Sequence, residues 1–343
     1  MNDTSHQSAT AARIQPQVPG PVWAFHARRG QPVVPLAPQD ISSALAAPDG
    51  WVWLHFDLVD RRAPAWVIET CALPKACQAT FEAYDFGLAL AHDDGTVHGI
   101  TADMQMEFGR GVSDDVGRMH FALKERLLVT GRHHPLEAVE EIHAALIGGA
   151  PAPSTAFELF EALQTAFCRN TSSRLAAASK RLDEIEDHLV ADNLADERKH
   201  LKTVRRLAVS LHRPISGIVS LFDDEDRISW PLAASAHDVL RRLAARFERL
   251  DREVVMINDR ARLLQEEIST ELQEESNRSL KVLTIISALL LPGTVVAGIF
   301  GMNTGGLPFA TEPWGFVAAI AVGVGATVFF YWLLIKAGAN MKF

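Results

Sequence analysis

Between Val282 and Ile335 the chain carries one formally charged residue, Glu312, and no other feature limits the fold as severely. The stretch divides into Val282–Phe300 (VLTIISALLLPGTVVAGIF), 19 residues without a charge, and Trp314–Ile335 (WGFVAAIAVGVGATVFFYWLLI), 22 residues. About 20 apolar residues rising 1.5 Å each span a hydrocarbon core of roughly 30 Å, so two transmembrane helices joined by a short loop are expected. Core helices of soluble proteins are usually shorter and rarely free of charge on every face. Pro292 is compatible with a spanning helix, because neighbours or waters can satisfy the carbonyl it frees.

Flanking charge orients the hairpin. Arg278 and Lys281 precede the first span, Lys336 and Lys342 follow the second, and Gly301–Pro313 between them has no Lys or Arg. The positive-inside rule places both termini in the cytoplasm and the loop outside, with Trp314, Tyr331 and Trp332 near span ends as interfacial aromatics. Two spans cannot enclose a pore, so anything conducted must pass between several copies.

The remainder holds nearly all the charge and the net −9. That acidity argues against a nucleic-acid-binding face. Three cysteines, Cys71, Cys77 and Cys168, make no disulfide framework and suit a reducing cytosol. Residues 1–20 are polar and read as a disordered leader. Residues 21–150 read as an α/β or α+β domain. Its strand candidates are Trp51–Leu58, Phe86–Ala91, Val97–Ala102, Met119–Leu123 and Arg126–Thr130. Asp93-Asp94-Gly95 reads as a hairpin turn, and Ala63–Ala72 and Pro135–Ile147 as helices. After a Gly/Pro-rich break at 148–153, residues 154–281 read as a helical stalk. Its last helix starts near Pro231 and, with no Gly or Pro from Leu232 to Pro292, can run unbroken into the membrane. Leu240, Leu243, Phe247, Leu250, Val254, Ile257, Ala261 and Leu264 recur at intervals of three and four, the seam of a packed bundle.

No P-loop, GxSxG, HExxH or GxGxxG is present, so neither an enzyme nor ATP-driven transport is expected, and no cofactor. Two metal-ligand patterns stand out. His133-His134 with His120 could form a metal site in the first domain, although adjacent histidines on a polar turn are more often solvated. The acidic runs Asp183-Glu184-Glu186-Asp187 and Asp223-Asp224-Glu225-Asp226 could hold divalent cations, although such runs are more often solvated faces and loops.

The first span ends in Gly301-Met302-Asn303, followed by Thr304-Gly305-Gly306-Leu307-Pro308. This triplet, directly after a first span and before a short loop and a second span, resembles the CorA family of divalent-cation transporters. The loop G-G-x-P and the stretch WVWLHFDLVD are similar to the ZntB zinc-transporter branch. The resemblance implies a funnel-shaped homopentamer: an α+β cytoplasmic domain, long stalk helices and a two-helix transmembrane hairpin in the bacterial inner membrane. It also implies a pore lined by the first span (282–303), a periplasmic loop (304–313), a lipid-facing second span (314–335) and a cytoplasmic basic tail (336–343). Carried over by the family's spacing, Asn303 forms a ring at the outer mouth, and Thr294, Leu291, Leu283, Leu280 and Asn277 follow inward along the pore. Their separations of 9, 3, 8, 3 and 3 residues are expected to stay close to one helical face.

Polar rings at Asn303, Thr294 and Asn277 would alternate with apolar constrictions at Leu291, Leu283 and Leu280. Neutral oxygens suit an ion that keeps much of its water, and leucine rings can close a pore by dewetting. Glu312 near the outer mouth would concentrate cations. The plain alternative for Asn303 is a helix C-cap, and for Thr294 a hydroxyl bonded to its own helix. Zn2+ is the expected ion by the loop. Mg2+ or Co2+ is favoured instead by Met302 and by the absence of His or Cys after His237; Ni2+ belongs to the same set. A membrane-anchored sensor or scaffold is the reading from another class.

Overall fold

A computed structural model describes residues 20–28, 31–84, 87–107, 111–189, 194–222, 230–302 and 314–336. The chain divides into two compact units at Leu264/Gln265.

The first unit is built on a seven-stranded mixed sheet. In chain order the strands are β1 (Trp23–Ala27), β2 (Val34–Pro35), β3 (Trp51–Asp57), β4 (Ala89–Asp93), β5 (Thr96–Glu107), β6 (Gly111–Lys124) and β7 (Leu127–Arg132). Their spatial order is β2-β1-β3-β7-β6-β5-β4. Only β3 and β7 run parallel, with Val52 opposite Leu127 and Asp57 opposite Arg132. β3 is buried on both faces from Trp51 to Phe56, as its near-continuous apolar run requires of a central strand. The β4–β5 hairpin turns at Asp94 and Gly95, both at positive φ (42° and 68°), the backbone of a type I′ turn.

One face of the sheet is covered by α1 (Ile41–Ala46), α2 (Ala63–Thr70) and α3 (Ala76–Glu82). Val52, Leu54, Phe56, Val67, Cys77, Phe81 and Val129 form the core there. On the other face lie α4 (Glu137–Ile147) and the start of α5 (Ala156–Leu189), with Phe121 against Phe160 at 4.5 Å between ring centroids. α4 has no cap of its own at Leu136. Asp103, wholly buried on β5, supplies one: its carboxylate accepts N–H bonds from Met104 (2.7 Å), Ala138 (3.1 Å) and Val139 (3.3 Å).

α5, α6 (Leu194–Phe222) and α7 (Ala234–Gly301) are the long helices. Every residue of the expected seam, from Leu240 to Leu264, is buried, and Phe247 packs against Phe167 and Phe222. Polar ties hold α7 to α5 along the same side: Arg242 on Glu161, Ser172 on Glu253, and Arg260 on both Asp183 and Glu186.

The second unit contains the end of α7 and α8 (Gly315–Lys336). α7 continues through Pro292 without a break. The most apolar windows of these helices have mean hydropathy 2.2 and 2.1, and 6% and 0% of them is buried within the chain. A soluble protein does not leave so large an apolar surface in water, which is the physical case for a bilayer around them.

Candidate functional site

The pore-side residues expected from the sequence sit on the terminal part of α7. At 3.6 residues per turn, Asn277, Leu280, Leu283, Leu291 and Thr294 fall within about 120° of arc. All five are exposed in the single chain. The opposite side of α7 is the one that meets α8. Gly293, Val296 and Ala297 face Ala319, Ile320, Gly323 and Thr327, and the Thr327 hydroxyl lies 3.4 Å from the Leu289 carbonyl. The centre of that contact is about 150° from the centre of the exposed set. α8 therefore packs on the back of the outer part of α7 and leaves exposed the face that carries Leu291 and Thr294, while Asn277, Leu280 and Leu283 lie on a stretch of α7 that is exposed all round.

Gly323 lies at the contact between the helices. A Cβ built on it would stand 3.9 Å from the Val296 side chain and 4.0 Å from the Gly293 Cα, an ordinary van der Waals fit, whereas a larger side chain would have to displace Val296. Gly323→Ala is accordingly expected to leave the hairpin intact, whereas Gly323→Leu forces the helices apart at a cost of about 1–3 kcal/mol. Cysteine crosslinking between introduced pairs on α7 and α8 would report the difference; equal crosslinking in both variants would overturn this account of the contact.

The Thr294 hydroxyl donates to the Leu290 carbonyl of its own helix at 2.9 Å. The bond uses the single hydroxyl proton and leaves the oxygen's lone pairs outward, able to accept from a hydration shell. Thr284 does the same to Leu280. At the outer end Gly301 is the last helical residue, and the Met302 N–H still donates to Gly298 at 3.1 Å. Asn303 and Glu312 lie outside the described residues. The nine-residue step from Thr294 to Asn303 is two and a half turns. An unbroken helix would therefore carry Asn303 to the far side, contrary to the single face expected from the spacing.

The sheet domain brings together some of the other candidates. His133 is half-buried and packs edge-on against Tyr84 (5.0 Å) and His120 (5.3 Å), while His134 is exposed. Asp223, Asp224 and Asp226 lie outside the described residues. In the other acidic run, Asp183 and Glu186 are held by Arg260 of α7 at 2.6 and 2.5 Å and tie two helices together, while Glu184 pairs with Arg181 of its own helix at 2.8 Å. Among the described residues no group of three His, Cys, Asp or Glu side chains converges as a metal centre.

A column of stacked rings was not expected from the sequence. His143, Trp23 and His55 lie face to face with centroids 3.9 and 4.2 Å apart. Arg132 Nε donates to His55 Nε2 (3.0 Å), so the His55 proton sits on Nδ1 and points to the Thr130 hydroxyl oxygen (2.8 Å), which also accepts from Trp53 Nε1 (2.9 Å). Burial, and then the Arg132 charge, hold His55 well below its ordinary pKa. The pairing joins the central strands and involves no solvent-facing group, so its role is structural.

Comparison with known proteins agrees with this architecture. The chain is 28% identical over 297 residues to the divalent cation transporter CmaX of Pseudomonas aeruginosa, covering 83% of this chain and 86% of that one. It is 22% identical over 303 residues to the zinc transport protein ZntB of Pectobacterium atrosepticum, covering 87% and 89%. In fold it resembles the full-length CmaX protein (TM-score 0.76, 24% identity, 92% and 97% covered). It also resembles the CorA magnesium transporter of Methanocaldococcus jannaschii (TM-score 0.72, 16% identity, 92% and 98% covered). The family described as CorA-like Mg2+ transporter protein matches residues 48–336. With residues 48–336 matched and two long apolar helices toward its end, the chain belongs to the CorA-like Mg2+ transporter family.

Proposed function

We propose that the chain assembles as a homo-oligomer, a pentamer by the family resemblance, and carries divalent cations, Zn2+ first, through a pore lined by the last turns of α7. The observation that carries this reading is the α7 face turned away from α8, on which Leu280, Leu283 and Leu291 lie in a row between Asn277 and Thr294. A tether needs no such face. In an oligomer the five positions would form stacked rings, oxygen-bearing ones for a hydrated ion and leucine ones that close when dry. Asn303 would form the outermost ring and Glu312 would draw cations to it. Both termini would lie in the cytoplasm by the distribution of Lys and Arg. The membrane potential alone favours inward movement of a dication by about 4.6 kcal/mol per 100 mV, twice the single-charge value.

Zn2+ is supported by the loop Gly305-Gly306-Leu307-Pro308 and by the ZntB relatives. A Mg2+ or Co2+ channel of the same architecture is the second reading. It is favoured by Met302 and by the absence of His and Cys after His237, which leaves the pore without imidazole or thiolate ligands.

The deciding measurement is uptake of Zn2+ and Mg2+ into proteoliposomes, with and without an inward proton gradient. Zn2+ uptake that rises with the gradient and falls about tenfold or more in Asn303→Ala supports the first reading. Mg2+ uptake indifferent to pH moves the chain to the second. No flux from folded, oligomeric protein would leave a membrane-anchored sensor or scaffold.

A further inference from the structure

We propose that His120 and His133 form a binding site for a borderline transition-metal dication, Zn2+ foremost, on the α3 side of the sheet. The site is separate from the pore and does not rest on the transport reading.

Strand register brings the two residues together. His120 on β6 stands opposite Gly131 on β7, and His133 lies two residues beyond Gly131. His120 faces α3, and His133, in the bend that follows β7, borders Phe81 and Glu82 of the same helix. The Leu58 side chain fills the space over Gly131, where a Cβ would collide with it at 2.8–3.0 Å.

The orientation of His120 is then fixed from behind. Its Nδ1 lies 2.7 Å from the Thr80 carbonyl on α3 and must donate to it. In the neutral ring the proton is thereby spent, and Nε2 is a bare lone pair. That nitrogen is buried and has no hydrogen-bond partner among the described residues, in a residue only 1% exposed. A buried acceptor without a partner is uncommon and costs about 1–3 kcal/mol. A backbone carbonyl behind one ring nitrogen, with the other left free, is the arrangement that prepares histidine to bind a metal.

The distance to the second ring fits. The His120 and His133 centroids are 5.3 Å apart and the planes are inclined at 67°. Two imidazoles sharing a tetrahedral Zn2+ through bonds of about 2.0–2.1 Å hold their centroids roughly 5 Å apart. His133 also borders an open cavity of about 630 Å3 lined by Glu82, Tyr84 and Arg61 among others. An ion could enter from there, and waters or the Glu82 carboxylate could fill the two remaining positions. Among the described residues no third ligand is preformed, so the site suits exchangeable binding rather than a permanent structural ion. Imidazole pairs prefer Zn2+, Co2+ and Ni2+, whereas Mg2+ takes oxygen ligands.

The test is a Zn2+ titration of the full-length protein in detergent, stripped of metal, in the presence of excess Mg2+ to occupy oxygen sites. X-ray absorption at the zinc edge would report the ligands. Wild type is expected to bind one Zn2+ per chain in a form that Mg2+ does not displace, with imidazole nitrogen in its coordination sphere. His133→Ala, a change at a half-buried position, is expected to weaken this binding about tenfold or more and to remove the imidazole signal. His120→Gln, with unfolding checked by circular dichroism, is expected to do the same. Unchanged zinc stoichiometry and ligation in His133→Ala would overturn the proposal, as would a wild-type protein that binds no Zn2+ under Mg2+. Both outcomes are independent of whether the pore conducts.

Discussion

Leu291→Asp is expected to leave insertion and assembly near wild type and to make the pore leak, whereas Val322→Asp is expected to cut the amount of assembled protein sharply. Both residues are leucine-sized or smaller, both are exposed in the single chain at 66% and 55%, and both sit within apolar spans. They differ in what should surround them. Val322 is on α8, about 100° from Gly323 and turned away from α7, where lipid is expected. An aspartate near the middle of a lipid-facing span costs about 2.5–3.5 kcal/mol on insertion, enough to lower the assembled fraction by a factor of roughly 100. Leu291 belongs to the bare face of α7, which in the oligomer would line water. An aspartate there keeps its hydration and meets only that smaller cost. It also replaces an apolar ring that can dry with a charged ring that stays wet and attracts cations, so the closed state is lost and background flux rises. Membrane fractions separated by size and proteoliposome uptake read the two effects. Were Leu291→Asp to fail to insert as badly as Val322→Asp, the bare face would be a lipid or helix contact and the pore reading would be lost.

What could be read without coordinates follows from how each feature is encoded. The hairpin is written as two long charge-free stretches and the seam from Leu240 to Leu264 as a helical period, and both signals survive in a single sequence, so both spans and every seam residue were legible. The long strands were found at their apolar centres but not at their ends, because β5 and β6 run on through polar residues that only the partner strand explains. β1 and α3 were missed for the same reason in stronger form. Trp23-Ala24-Phe25-His26-Ala27 becomes a strand by pairing with β3, and Ala76–Glu82 is short and owes its place to the core under it. Of the site, the leucines, Thr294 and Asn277 came from a resemblance. The bareness of their face came only from seeing where α8 packs, through Gly293 and Gly323. The His120–His133 pair was half legible. The sequence supplied the residue types, but that one nitrogen is turned to Thr80 and the other left empty is a matter of tertiary geometry.

Asp103→Ala is expected to destabilise the sheet domain by about 2–5 kcal/mol and to loosen the start of α4 first. Among the described residues no other side chain caps that helix, and removing the carboxylate leaves the N–H groups of Met104, Ala138 and Val139 buried without this acceptor. A lost cap costs about 0.5–2 kcal/mol, and each orphaned buried donor about 1–3 kcal/mol, not fully additively. Hydrogen exchange at Ala138 and Val139 should therefore accelerate well before global unfolding. The same residue predicts a pH dependence whose sign can be worked out. Burial raises its pKa from 3.8 to about 7, against the downward pull of the three N–H bonds and with a small upward push from Glu137. Between those two values the unfolded chain has lost the proton that the folded chain keeps, so the folded state binds more protons and stability falls as pH rises. The contribution is complete below about pH 4 and gone above about pH 7, and for a fully buried group it is on the order of 4 kcal/mol. Asp103→Asn, which cannot titrate, should flatten this part of the profile while keeping part of the cap. Wild-type stability that instead rises between pH 4 and 7 would mean that the N–H bonds of α4 outweigh burial. Asp103 would then be an ionised cap anchoring the helix by charge, and its replacement by Asn would be nearly as damaging as by Ala.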